Sequence, residues 1–155
     1  MMSAIQIHWA NLSELDAIVP LFDAYRQFYE KPSAVQLSRD LLNTRMATSQ
    51  SRIILATDES GNACGFAQLY PLFSSLSMSV LESKVWLLND LYVAQTARGQ
   101  GVGAALLSFV QDWAAQEGAG YLMLETAKTN ATAQRLYEAQ GWVRDEAFFV
   151  YQFAL

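Results

Sequence analysis

The succession of hydrophobic patterns predicts a mixed α/β domain. Three observations carry this reading. Strand and helix periods succeed one another, with two neighbouring strands in the middle of the chain. The run 85–93 is apolar enough to be buried on both faces of a sheet. A glycine-rich stretch then leads that run into an amphipathic helix.

Ile5, Ile7 and Trp9 alternate with Gln6 and His8, the period of a first strand. Leu15, Ile18, Val19, Phe22, Tyr25 and Tyr29 recur near the helical period behind the capping residues Asn11 and Ser13. Pro20 inside that helix predicts a kink or break. Lys31 and Pro32 separate it from a shorter helix over 33–46 that presents Leu37, Leu41 and Leu42. Ile53, Leu55 and Thr57 alternate up to a turn cluster at 58–62, after which 63–73 returns as the second arm of a hairpin. Serines crowd 72–83, which reads as a loop before the strand 85–93. A helix over 101–116 carries Leu106, Leu107, Val110 and Trp113 on one side and stops at Glu117 and Gly118. The stretch 121–126 reads as a strand and 130–139 as a fourth helix ended by Gly141. The alternating aromatics of 148–153 read as a last strand.

The chain has 155 residues, 52% of them apolar and 16% charged, enough for one sizeable core and a single domain spanning 1–155. Lys and Arg number 10 against 15 Asp and Glu, a formal charge of −5 that argues against nucleic acid as partner and suits a basic small molecule. One cysteine, Cys64, and one histidine, His8, exclude a disulfide framework, a multi-thiolate zinc site and a two-histidine metal pair, so no metal is expected. Neither residue is assigned a role. The apolar runs stop well short of the ~20 residues a membrane helix needs, and the N-terminus lacks a signal-peptide pattern. A cytoplasmic location is expected.

The segment with the character of a site is Val93-Ala-Gln-Thr-Ala-Arg98-Gly99-Gln100-Gly101-Val102-Gly103-Ala104, between a buried strand and a helix start. Small residues there let backbone N–H groups converge on an anion, and the helix N-terminus adds partial positive charge. A pyrophosphate fits such a cradle; glycines that merely permit a tight turn are the alternative. No Gly-Lys-Ser/Thr follows, so a Walker loop is absent, and Gly99, Gly101 and Gly103 do not match Gly-x-Gly-x-x-Gly.

Arg98-x-x-Gly101-x-Gly103 resembles the acetyl-CoA signature of the GNAT N-acetyltransferases. Asn130-x-x-Ala133-x-x-Leu136-Tyr137-x-x-x-Gly141-Trp142 resembles that family's second motif. The resemblance implies a mostly antiparallel central sheet of about six to seven strands flanked by about four helices. It also implies acetyl-CoA as cosubstrate, with the backbone amides of Arg98, Gly99, Gln100, Gly101, Val102, Gly103 and Ala104 on its pyrophosphate. Leu91, Tyr92 and Val93 would pair with the pantetheine arm, and Asn130 and Tyr137 would lie near the thioester. The stretch around Leu88-Asn89-Asp90-Leu91 is similar to the diamine and polyamine branch, which commonly carries acids at the positions of Asn89 and Asp90; here Asn89 is an amide. A homodimer built around the aromatic tail is also implied.

The chemistry follows from the residues. A primary amine is largely protonated at neutral pH, so its attack on a thioester needs a proton acceptor, and Asp90 and Glu125 are the candidate carboxylates, with structural pairing as the alternative for each. A phenol can protonate the leaving thiolate, and Tyr137 lies about two helical turns after Asn130 on the same face. Tyr25, Arg26 and Tyr29, with Asn89, could line an acceptor site, or serve only as parts of an amphipathic helix. The leading expectation is an N-acetyltransferase acting on a small cationic amine in a ternary complex. A protein lysine or N-terminal acetyltransferase and a non-catalytic acyl-CoA sensor remain alternatives.

Overall fold

A computed structural model describes residues 4–155. The chain divides into two units, Met1–Glu125 and Thr126–Leu155. The first is built on one sheet. Strand β1 (Gln6–Trp9) pairs with β2 (Arg52–Thr57), β2 with β3 (Ala63–Phe73) and β3 with β4 (Lys84–Val93), all antiparallel. Strand β5 (Tyr121–Met123) adds to β4 in parallel, and the order is β1-β2-β3-β4-β5. The mixed, mostly antiparallel architecture is the one expected; the sheet has five strands instead of about six to seven.

Helix α1 (Leu15–Phe28) begins behind a capping box. Asn11 Oδ1 accepts from the Ser13 amide at 2.9 Å, and Glu14 Oε1 accepts from the Asn11 amide at 3.3 Å. The helix runs unbroken through Pro20, contrary to the break expected there. Pro20 and Asp16 both lie on the exposed side, so the Asp16 carbonyl that loses its helical donor is open to water. Helix α2 (Val35–Ala47) follows, and Asp23 ties the two together, accepting from Ser33 Oγ at 2.7 Å and the Ala34 amide at 2.7 Å. Leu42 is buried and Leu41 packs beside it, but Leu37 is exposed and Ser38 takes the inward position.

The two faces of the sheet are covered by different helices. On one, Ile18, Val19 and Phe22 of α1 and Leu42 of α2 pack with Ile53, Leu55 and Phe66. On the other lies α3 (Val102–Gln116), whose Trp113 meets Trp9 and Trp86 with ring centroids 4.8 and 4.9 Å apart. Gly65 allows this approach, since a Cβ there would come within 3.0 Å of Val102 Cγ1.

The second unit holds α4 (Ala131–Ala139), which Asn130 caps by accepting from the Ala133 amide at 3.1 Å. The strand expected over 148–153 does not form. A strand needs a neighbour to satisfy its N–H and C=O groups, and Thr126–Leu155 contains no second one. Phe149, Tyr151 and Phe153 are 89–90% exposed.

Candidate active site

Strand β5 ends sooner than the sequence suggests, at Met123, and its pairing with β4 stops at Leu87↔Met123. Beyond Leu87, β4 continues to Val93 with β3 on one side and no strand on the other among the described residues. Leu91, Tyr92 and Val93 therefore lie on an open backbone edge, which a ligand carrying amide groups can extend.

The strand leads through a short 3-10 turn (Gln95–Ala97) into the glycine-rich turn. Gly99 and Gly101 hold φ of +74° and +83°, and an added Cβ would meet nothing within 4 Å at either, so the turn favours glycine for its backbone and is open to the outside. Helix α3 starts at Val102, and Ala105 is the first residue to donate back, to the Gly101 carbonyl at 2.9 Å. The amides of Val102, Gly103 and Ala104 are left as the unpaired donors of a helix N-terminus, where backbone dipoles favour an anion. Arg98 folds back over the strand: its Nε donates to the Val93 carbonyl at 3.1 Å, and its guanidinium lies 5.6 Å from the rings of both Tyr92 and Phe28. Gln100 anchors the turn with Nε2 on the Thr96 carbonyl at 3.1 Å.

Between α1 and the sheet lies an aromatic wall. Tyr25 has ring centroids 5.1 Å from Tyr29, 6.0 Å from Phe66 and 6.3 Å from Tyr92. Beside it the β3–β4 register slips between Gln68 and Leu69, which face Asp90 and Leu88, so Asn89 is a β-bulge. The bulge exchanges the faces of β4: Trp86 meets α3, whereas Tyr92, an even number of residues on, meets α1. Asp90 is thereby turned to the α1 side and is only 5% exposed. Its Oδ2 accepts from Gln68 Nε2 at 2.7 Å and its Oδ1 from Asn89 Nδ2 at 3.1 Å. Tyr70 stands near, its phenol pushed above its ordinary pKa by burial and then by the Asp90 charge, with Arg45 opposing.

Tyr25, Tyr29, Asn89, Asp90, Tyr92 and Arg98 all lie in the first unit, where Tyr92 meets both the Tyr25 ring and the Arg98 guanidinium. Arg26 also lies on α1, and its Nε is buried without a partner. Glu125 is not in a strand: it is exposed, past the end of β5. Asn130 and Tyr137 belong to the second unit, where Asn130 Oδ1 is engaged as the helix cap and the half-buried Tyr137 ring is 6.1 Å from Trp142. Sequence reasoning missed Gln68. The signal was available: it is a long polar side chain in the middle of the otherwise apolar run of β3, and it is 2% exposed.

Comparison with known proteins gives a consistent answer. The sequence profile of the acetyltransferase (GNAT) family matches residues 17–142. An uncharacterized N-acetyltransferase of Bacillus subtilis (strain 168), YhfO, is 42% identical over 147 residues, covering 95% of each chain. A crystal structure described as a probable acetyltransferase superposes with a TM-score of 0.89 at 40% identity over 97% of both chains. At 20% identity, where the likeness concerns the fold alone, the aminoglycoside N-acetyltransferase AAC(6')-Iy in complex with CoA gives a TM-score of 0.79 over 99% of this chain and 97% of its own.

Proposed function

This chain belongs to the acetyltransferase (GNAT) family and is an N-acetyltransferase, and from that premise we propose that it transfers the acetyl group of acetyl-CoA to a primary amine of a small cationic molecule. The observation that carries the reading is the positive-φ glycine turn opening onto the N-terminus of α3, directly after the unpaired edge of β4. The amides of 98–104 are assigned to the pyrophosphate and the edge at Leu91, Tyr92 and Val93 to the pantetheine amides. The CoA complex of AAC(6')-Iy supports this cosubstrate.

The reaction is direct attack in a ternary complex. The neutral amine nitrogen adds to the thioester carbonyl carbon and becomes positively charged, the C–S bond breaks as the tetrahedral intermediate collapses, the nitrogen loses its extra proton to water, and the CoA thiolate takes up a proton. The β4 edge supplies backbone N–H groups of the kind that stabilise an oxyanion. Tyr137 is assigned the proton donation, a role supported by the second motif and by the chemistry of a phenol. The ammonium must first lose its own proton. Asp90 is the first candidate to offset that charge and, being nearly buried with both oxygens engaged, to receive the proton through water; exposed Glu125 is the second. Tyr25, Arg26 and Tyr29 form the acceptor wall in this reading.

The formal charge of −5 and the aminoglycoside acetyltransferase among the structural neighbours favour a small polyamino acceptor. Among the described residues no helix is long and apolar enough to cross a membrane. We read residues 1–155 as one catalytic domain, located in the cytoplasm and assembled as a homodimer through the exposed aromatic tail. The deciding test is CoA release from acetyl-CoA with amines, aminoglycosides and lysine peptides as acceptors. Turnover restricted to peptides would replace the small-molecule reading with a protein acetyltransferase.

A further inference from the structure

At the β4 bulge the residue nearest solvent is an amide, and the carboxylate stands one step behind it. Asn89 is exposed, while Asp90 and Gln68 are 5% and 2% exposed. In a regular strand, neighbours 89 and 90 would point to opposite faces; the bulge instead brings Asn89 Nδ2 to 3.1 Å from Asp90 Oδ1. An ionised carboxylate only accepts hydrogen bonds, so this contact fixes which end of the Asn89 amide faces inward. The NH₂ is held by Asp90, and the carbonyl oxygen Oδ1 is turned away and takes no donor among the described residues. Gln68 closes the row from inside, its Nε2 on Asp90 Oδ2 at 2.7 Å and its own Oε1 buried without a partner. Leaving that acceptor bare is the cost of aiming its only donor group at Asp90.

We propose that Gln68, Asp90 and Asn89 act as one row in which the two buried residues orient Asn89, and that Asn89 Oδ1 accepts an N–H of the acceptor's amino group. The inference rests on the acetyltransferase reading and names the residue that meets the amine. Asn89 lies two positions past the last residue of β4 that pairs with β5, where the strand edge becomes free for the thioester. The Asp90 charge polarises the Asn89 amide and strengthens its carbonyl as an acceptor for a cationic donor. Charge is thus felt by the ammonium without a carboxylate at the surface. Such a site binds the protonated amine and still lets it release a proton to water, where a surface ion pair would hold the proton more firmly. Gln68 is a positioning residue in this scheme, and Asp90 orients Asn89 in addition to its proposed part in taking up the amine's proton.

The test measures KM and kcat by CoA release with kanamycin, putrescine and a lysine-bearing tripeptide, in the wild type, Asn89→Ala, Gln68→Met and the double variant. For whichever amine the wild type acetylates, Asn89→Ala should raise the amine KM about tenfold or more, with the acetyl-CoA KM unchanged. Gln68→Met should move the same parameter in the same direction, and adding it to Asn89→Ala should raise KM no further. A Gln68 that served only the core would lower the melting temperature without touching the amine KM. Asn89 is exposed, so its variant tests the idea even if Gln68→Met fails to fold. Wild-type turnover with an amine KM unchanged within twofold in Asn89→Ala overturns the inference and leaves the enzyme's function standing. No CoA release with any of the three amines, despite measured acetyl-CoA binding, overturns the proposed function, and this inference with it.

Discussion

Replacing Gly101 by alanine, with Gly61→Ala as a matched control, separates the backbone requirement of the glycine turn from its proposed contact with acetyl-CoA. The two glycines hold nearly the same φ, +83° and +81°, and in neither place would a new Cβ meet an atom within 4 Å. Gly61 lies in the β2–β3 turn and has no part in the proposed site. Forcing an L-residue into the left-handed region costs about 1–2 kcal/mol, so both variants should stay folded and lose about 2–8 °C in Tm. Ligand affinity should divide them. In the proposed site a methyl group at Gly101 would crowd the phosphate oxygen assigned to the amides that open α3, and losing one charge-assisted bond of about 1.5–3 kcal/mol would weaken Kd about ten- to hundredfold. Calorimetric titration of acetyl-CoA into each variant, alongside a thermal melt, reads both quantities. Equal affinities in Gly101→Ala and Gly61→Ala would remove the turn from the binding site, whatever their stabilities.

Three further outcomes are expected. Tyr137→Phe should lower kcat about 100-fold with acetyl-CoA affinity little changed, and wild-type turnover would show that the phenol is not the proton donor. The Ser33 hydroxyl, then the Ala34 amide, hold the Asp23 carboxyl below its ordinary pKa, so its stabilising effect is complete above the unfolded value of about 3.9 and is lost as pH falls through the lower folded value. Asp23→Asn should therefore cost about 1–3 kcal/mol at pH 7, with the gap to wild type closing below about pH 4 in denaturant titrations; a gap independent of pH would refute the assignment. The exposed rings of Phe148, Phe149, Tyr151 and Phe153 should be covered by a second copy of the chain, and light scattering that finds only the 17.3 kDa monomer at micromolar concentration would reject the homodimer.

What the sequence by itself determined is whatever depends on local pattern. Alternation in 53–57 and the turn residues at 58–62 define the β2–β3 hairpin, because side-chain period and turn chemistry act over a few residues. The glycine turn before α3 is equally legible, since positive φ, as held at Gly99 and Gly101, favours a residue without Cβ. Tertiary structure decided the rest through pairing. Whether 121–126 stays a strand depends on how far β4 keeps company with it, and that partnership ends at Met123. The alternating aromatics of 148–153 have a strand's pattern, yet their own unit offers no neighbour to bond with. The β4 bulge is the sharpest case. Counting by twos along 85–93 puts residues 86, 88, 90 and 92 on one face, and only the slip against β3 at Asn89 turns Asp90 and Tyr92 toward α1. The same slip joins Gln68, twenty-two positions away in sequence, to Asp90. Register is a property of two strands together, and neither strand's sequence states it alone.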